Sequence, residues 1–227
     1  MPQKLNNKLC IFDYHGTLIW ALDIHDSAYS RTVEEIYGVK GSVHDVYFTA
    51  STIQNITISI AKNKGVSGEI IESKRHLILP AYERHFKDAL EHGEIHLLPG
   101  VPELLRSLQE NNIPICLYTG ESFVSIDAVM RKSGLDRYFP EDVRSSGSNE
   151  TDDRTELLRL AIEKAKVKHR IAFPNGETYL FDDSTKGLEA GKSLGIVTMG
   201  VATGPQSYDE LLTHSPTHLF RDFSDYK

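Results

Sequence analysis

Four apolar residues in a row, Leu9-Cys10-Ile11-Phe12, run directly into an acidic residue, Asp13, with Gly16 close behind. A short apolar run without polar alternation predicts a strand buried on both faces, as in the interior of a parallel sheet. Gly16 lets the backbone turn sharply after it. A carboxylate at the carboxyl end of a central parallel strand stands where open α/β sheets bind ligands. From these residues alone, an ordinary strand-end capping Asp is an equally good reading.

The same signal returns further along. Ile113 to Tyr118 predicts a second buried strand, ending at Thr119-Gly120, and Tyr179-Leu180-Phe181 a third, ending at Asp182-Asp183. A short strand is expected at 142–146, and Ile196–Val201 reads as a last, long strand. Helical segments are expected between them at 101–111, with Pro102 tolerated in the first turn, and at 122–133, 153–166 and 185–194. Strand and helix in alternation give a parallel sheet with helices on both faces. Residues 20–94 break the pattern and read as four or five helices without a convincing strand. The pieces there are 24–38, stopped by Gly38, then 42–62, 67–79 and 81–91, where Pro80 would break or kink the last two if they were one. An insert of that length should carry structure of its own.

Composition narrows the function. The chain has 227 residues, 40% of them hydrophobic and 25% charged, which suits a soluble globular protein. A formal net charge of −7 does not favour nucleic acid or an anionic membrane, so neither is expected as a partner. An anionic substrate needs local positive charge from a metal or a few basic residues. The opening Met-Pro-Gln-Lys-Leu-Asn-Asn-Lys holds no apolar signal core, and no stretch approaches eighteen apolar residues. Cys10 and Cys116 both fall in expected core strands, so a reduced, cytoplasmic protein is expected. The Asn-x-Thr triplets at Asn55 and Asn149 are then chance occurrences.

Three further positions carry possible chemistry, each with an ordinary alternative. Thr119 is a strand-terminal hydroxyl or simply the start of a turn. Asp182-Asp183-Ser184 is an acidic strand end or a helix N-cap pair. Arg154 opens a helix and is a charged site group or a surface ion-pair partner, while Lys164, Lys166 and Lys168 later on that helix are expected to face solvent.

Asp13-Tyr14-His15-Gly16-Thr17-Leu18 resembles the first motif, DxDGT[LV], of phosphatases in the haloacid dehalogenase superfamily. Leu98-Pro99-Gly100-Val101-Pro102-Glu103-Leu104-Leu105 and Gly200-Val201-Ala202-Thr203-Gly204 resemble its phosphoglycolate-phosphatase-like members. The four candidate positions Asp13, Thr119, Arg154 and Asp183 also occur in the family order. The resemblance implies an α/β fold: a Rossmann-like, doubly wound parallel sheet core (1–19 and 95–227) with an inserted all-helical cap domain (20–94). It implies a Mg²⁺-dependent phosphatase of small phosphorylated metabolites, with Asp13 as the nucleophile that carries an aspartyl-phosphate. His15 stands where the family has its general acid/base Asp, and Arg154 where it has a Lys. Thr119, Gly120 and Arg154 would hold the phosphate. Asp13, Asp183 and the backbone carbonyl of His15 would hold the metal, with Asp182 as a further candidate ligand. The usual fourth motif is Gly-Asp-x-x-x-Asp; here Asp182 replaces the Gly, and the final acid falls on Gly187 and is missing.

An unperturbed His titrates near ~6.5 and would exchange protons at neutral pH. His15→Asp is expected to raise phosphatase activity. Two other functions stay open at this point: a catalytically impaired binding protein, favoured by the departures at His15, Arg154 and Gly187, and a metal-independent haloacid dehalogenase. In the insert, Tyr47, Phe48, Arg75, His76, Arg84 and His85 are candidates for substrate contact.

Overall fold

A computed structural model describes residues 7–225, so the reading of the opening six residues lies outside it. The first strand, β1 (Leu9–Phe12), is buried along its whole length. The chain then makes β2 (Ile19–Trp20) and enters four helices: α1 (Leu22–Tyr37), α2 (Ile53–Asn63), α3 (Gly68–Lys74) and α4 (Ile78–His92). It returns through β3 (His96–Leu97), which pairs antiparallel with β2. Alternation follows: α5 (Val101–Glu110), β4 (Ile115–Thr119), α6 (Phe123–Ser133), β5 (Arg144–Ser146), α7 (Arg154–His169), β6 (Thr178–Asp182), α8 (Thr185–Ser193), β7 (Val197–Val201), α9 (Tyr208–Thr213) and β8 (His218–Phe220).

The main sheet has the order β5-β4-β1-β6-β7-β8, and every neighbouring pair is parallel. The chain winds outward from β1 in both directions, so the crevice between β1 and its neighbours opens at their carboxyl ends. Apolar packing lies on both faces. Leu9, Ile11, Cys116 and Tyr118 face Leu158 and Ala161 of α7. Phe12 and Phe181 stack at 4.7 Å on the other side, within a core that runs on into Ile24, Tyr29 and Phe86 of the inserted helices. The insert therefore shares its apolar core with one face of the sheet.

Four local expectations are corrected. The segment 42–62 is not one helix: a 3-10 turn covers Val43–Asp45, extended chain follows, and α2 starts only after Thr52, whose hydroxyl accepts from the Asn55 N–H. Pro80 breaks nothing, because α4 runs through it; it lies in the first turn, where a backbone N–H has no helical partner to lose. The break falls instead in a 3-10 turn at Arg75–Leu77. The strands at the two ends of the insert, β2 and β3, are too short to show a period in sequence. Nor is β7 the last strand, since β8 adds an edge with only Leu219 and Phe220 as apolar residues. No described helix is long and apolar enough to cross a membrane.

Candidate active site

Asp13 extends β1 by one residue: its N–H donates to Phe181 O at 2.9 Å, so the sheet ladder fixes its backbone. Asp182 closes β6 and Asp183 follows it. All three carboxyls are buried, and one oxygen of each lies within 4.8 Å of the others. Arg154, the first residue of α7, reaches into this group. Its Nη2 donates to Asp13 Oδ1 at 2.7 Å and to Asp182 Oδ2 at 3.0 Å, and its guanidinium carbon sits 4.0 Å from the centre of the Tyr118 ring. It is not a surface ion-pair residue. Lys164, expected to face solvent, is half-buried instead and donates to Arg144 O at 2.6 Å and Glu150 at 2.7 Å.

The charges of this floor do not balance. Three carboxylates face one guanidinium. Burial pushes Asp13 up from the ordinary carboxylate range, Arg154 pulls it back, and Asp182 pushes it further up. Burial, then Asp13 and Asp182, raise Asp183 well above its ordinary value. A divalent cation would remove that penalty, and clustered carboxylate oxygens are the hard donors that Mg²⁺ prefers. The residues present therefore fit the metal. Arg154 Nε is buried without a partner, a donor left over for an anionic ligand.

The missing acid at 187 has a structural counterpart. A Cβ built on Gly187 would lie 1.9 Å from Asp182 Oδ2, so the Asp182 carboxylate fills the space that a side chain at 187 would need. It is fixed there by the Ser184 N–H at 2.8 Å, by the Ser184 hydroxyl at 2.5 Å, and by the Tyr118 hydroxyl. Acid and glycine have exchanged positions, and the carboxylate enters the floor from the strand rather than from α8. Asp183 is seated between two glycines: a Cβ on Gly16, at φ +91°, or on Gly204 would lie 2.3 or 1.6 Å from its Oδ2. Thr17 donates to its other oxygen at 3.2 Å.

Thr119 ends β4 and is buried beside the floor; its hydroxyl accepts from the Glu121 N–H at 3.3 Å, so it also starts a turn. At Gly120 a Cβ would meet Ser51 O at 2.0 Å, because the chain ahead of α2 lies directly over it. Ser148 ties that chain down, donating to Gly120 O at 2.6 Å and accepting from the Ile53 N–H at 3.0 Å.

Between floor and insert lies a cavity of about 70 Å³, lined by Asp13, Thr119, Gly120, Arg154 and Asp183 below and by His25, Tyr29 and Phe48 above. His15 is on its side. The Ala21 N–H donates to His15 Nε2 at 3.1 Å, which places the ring proton on Nδ1. Burial, then His25, push this imidazole well below its ordinary value, so it is neutral at pH 7 rather than the evenly titrating group the sequence suggests. Of the six insert candidates only Phe48 lines the cavity. Tyr47 is 61% exposed, and Arg84 and His85 pair with Glu35 at 2.5 and 2.6 Å.

Sequence reasoning missed Tyr118, Ser184, His25 and Glu121. His25 and Tyr29 sit four apart on the buried face of α1, a polar interruption of an apolar stripe that is visible in sequence. Glu121 directly follows Thr119-Gly120, and its burial is not visible there.

Residues 7–195 match the family described as haloacid dehalogenase-like hydrolase. A phosphoglycolate phosphatase of Vibrio parahaemolyticus serotype O3:K6 is 22% identical over 228 residues, covering 96% of this chain and 93% of that protein. Among solved structures, a hydrolase from Pseudomonas syringae shares the fold at TM-score 0.73 and 17% identity, covering 96% of this chain and 95% of its own. A structure described as a predicted phosphoglycolate phosphatase from Haemophilus somnus 129PT does so at TM-score 0.73 and 18% identity, with 98% of each chain covered. An acidic nucleophile candidate at the end of the central strand, inside a match that spans most of the chain, leads to one family: the chain belongs to the haloacid dehalogenase-like hydrolases.

Proposed function

We propose that this chain is a Mg²⁺-dependent phosphatase of small phosphorylated metabolites, acting through an aspartyl-phosphate on Asp13. The observation that carries the reading is the convergence of Asp13, Asp182 and Asp183 on one point, with Arg154 bound across two of them. The resemblance of the chain to a phosphoglycolate phosphatase supports the substrate class. Residues 20–94 act as a cap on the core formed by 1–19 and 95–227, and the unpaired, buried thiols of Cys10 and Cys116 suit a cytoplasmic protein.

Asp13, Asp183, the His15 carbonyl and Asp182 would hold the metal, which when bound offsets negative charge between carboxylates and phosphate. Two unit charges 4 Å apart repel by only ~1 kcal/mol in water but by about 4 kcal/mol at the effective dielectric of a protein site. Arg154 holds a phosphate oxygen, and the Thr119 hydroxyl and Gly120 N–H hold others. Asp13 attacks phosphorus, a carboxyl O–P bond forms, and the ester P–O bond breaks with its electron pair on the leaving alcohol oxygen, which takes a proton. Water then attacks the same phosphorus and releases a proton that balances the one taken up by the alcohol, the bond to Asp13 breaks, and the carboxylate is restored. Neutral His15 offers an Nδ1–H as a hydrogen-bond donor, a weaker aid to the leaving oxygen than a carboxylic acid of tuned pKa.

The test is turnover of a panel of small phosphate esters with Mg²⁺ and with EDTA. Activity is expected only with Mg²⁺, and Asp13→Asn is expected to reduce it by at least about 10³-fold. Mg²⁺-dependent turnover that survives Asp13→Asn would sink the mechanism. Haloacid turnover in EDTA would favour the dehalogenase chemistry, and tight ester binding without turnover the binding-protein reading.

A further inference from the structure

Above the phosphate-facing floor, the cavity wall contains no positive charge that is free. Among the described lining residues Arg154 is the only Lys or Arg, and its Nη2 already serves Asp13 and Asp182. The wall instead presents Leu22, Tyr29 and Phe48 among polar side chains that include His25 and Glu121. Glu121 is buried; Oε2 accepts from the Ser125 hydroxyl at 2.8 Å, and Oε1 lies 3.4 Å from His25 Nδ1. The Tyr82 hydroxyl also meets His25 Nδ1, at 2.6 Å. That leaves His25 Nε2 buried and without a partner on a ring that is 4% exposed.

We propose that the ester hydrolysed here has a compact, uncharged, hydroxyl-bearing leaving group, and that Glu121 and His25 select against a second anionic group on it. The inference rests on the phosphatase reading and goes further by naming the class of alcohol. At about 70 Å³ the cavity is small beside the ~300–1,000 Å³ of drug-sized ligand pockets, which favours a compact leaving group. A carboxylate on the leaving group would be stripped of water beside the Glu121 carboxyl, with no cation to pair with. A hydroxyl meets no such penalty. It both donates and accepts, so it satisfies His25 Nε2 in either tautomer, whereas a carboxylate accepts only. Burial pushes the Glu121 carboxyl up to about 7, so from that pH upward it carries the same charge as a carboxylate on the substrate. The relative from Vibrio parahaemolyticus is named for an ester whose leaving group ends in a carboxylate; the wall of this chain points away from that ester.

The test compares hydroxyethyl phosphate with phosphoglycolate, which differ by a CH₂OH in place of a carboxylate, using the full chain with Mg²⁺. The hydroxyl ester is expected to be preferred by about 10- to 100-fold in kcat/KM. Equal rates, a preference for phosphoglycolate, or a preference for phosphoethanolamine over hydroxyethyl phosphate would overturn the assignment. Above pH 7, where Glu121 ionises, Glu121→Gln is expected to narrow the ratio at least about threefold by removing the like charge; an unchanged ratio overturns its role. His25→Gln reads the same wall should Glu121→Gln fail to fold. If no ester is turned over, thermal midpoints with each ester separate the cases. Stabilisation by hydroxyethyl phosphate alone keeps the selectivity and sinks the phosphatase reading, and stabilisation by neither sinks both.

Discussion

The acidic floor at the strand ends and the polar wall beneath the inserted helices are both buried and both made of titratable groups. They handle charge in opposite ways. In the floor, carboxylates outnumber the single guanidinium; Asp13 is driven upward by burial and by Asp182, and Asp183 by burial, Asp13 and Asp182. In the wall, Glu121 and His25 are each shifted toward the neutral form, with Ser125 and Tyr82 supplying hydrogen bonds. Charge of that kind would be relieved by an external cation, as the proposed metal would supply. A wall of that kind needs none, and it discriminates by rejecting charge. The difference is one of backbone placement as well as composition. Asp13, Asp182 and Asp183 are held by adjacent parallel strands that cannot separate, whereas His25 and Glu121 come from α1 and from the turn after β4.

Four changes would break or sharpen this contrast. The largest effect is the loss expected for Asp13→Asn, at least about 10³-fold in turnover. The variant should also be more stable than the parent in EDTA and gain less from Mg²⁺, because one member of the repelling set is gone. A midpoint in EDTA below that of the parent would show that the floor is not strained by charge.

Next is the exchange of acid and glycine. Gly187→Asp places a Cβ where the Asp182 carboxylate now lies and adds a fourth acid, so a loss of about 2–4 kcal/mol is expected in denaturant unfolding. Asp182→Gly combined with Gly187→Asp should recover at least ~1 kcal/mol of it, as groups that share one space do not add independently. Simple additivity would mean that the two positions do not share a site.

The wall is probed by pH. Glu121 has an ordinary value of 4.5 and is raised to about 7 in the fold. Between those values the folded chain keeps a proton that the unfolded chain releases. The stability it contributes is therefore complete below 4.5 and is lost as pH rises through about 7. Gln does not titrate. Glu121→Gln should thus gain on the parent between pH 5 and pH 8, by on the order of 2–3 kcal/mol in chemical denaturation. A difference that does not change with pH would place Glu121 in a charged, paired state and remove the contrast between wall and floor. His25 works in the other sense: its stabilising share is present above 6.5 and is lost as pH falls toward about 3.

The smallest effect concerns the residue that joins the two regions. His15→Asp is expected to raise kcat about tenfold, equivalent to ~1.4 kcal/mol, by restoring an acid that exchanges protons with the leaving oxygen. It also removes a ring packed 4.8 Å from Trp20, so the thermal midpoint should fall slightly. A lower kcat with unchanged KM would show that the neutral imidazole is the better partner for this substrate.

Much of the fold was legible because strands buried on both faces leave a simple trace. Leu9–Phe12, Ile115–Thr119 and Tyr179–Asp182 are apolar runs that stop at a polar residue, and that residue is delivered to the crevice. Asp13, Thr119 and Asp183 stood out for this reason, whereas Arg154 was singled out only by resemblance to a family motif that has Lys there, with a surface ion pair an equal alternative. Local rules failed where position within an element mattered more than residue type, as at Pro80, and where an element was too short for periodicity, as at β2 and β3.

The linear chain thus determined the alternation, the central strand and the acids at its end, since burial of the backbone in a parallel sheet imposes that pattern on neighbouring residues. Only the tertiary structure decided that the Asp182 carboxylate occupies the space above Gly187, that His15 is held neutral with its proton on Nδ1, and that His25 meets Glu121 across the cavity. Each of these depends on Cβ positions and desolvation set by segments far apart in sequence, and neither quantity can be read from residue order alone.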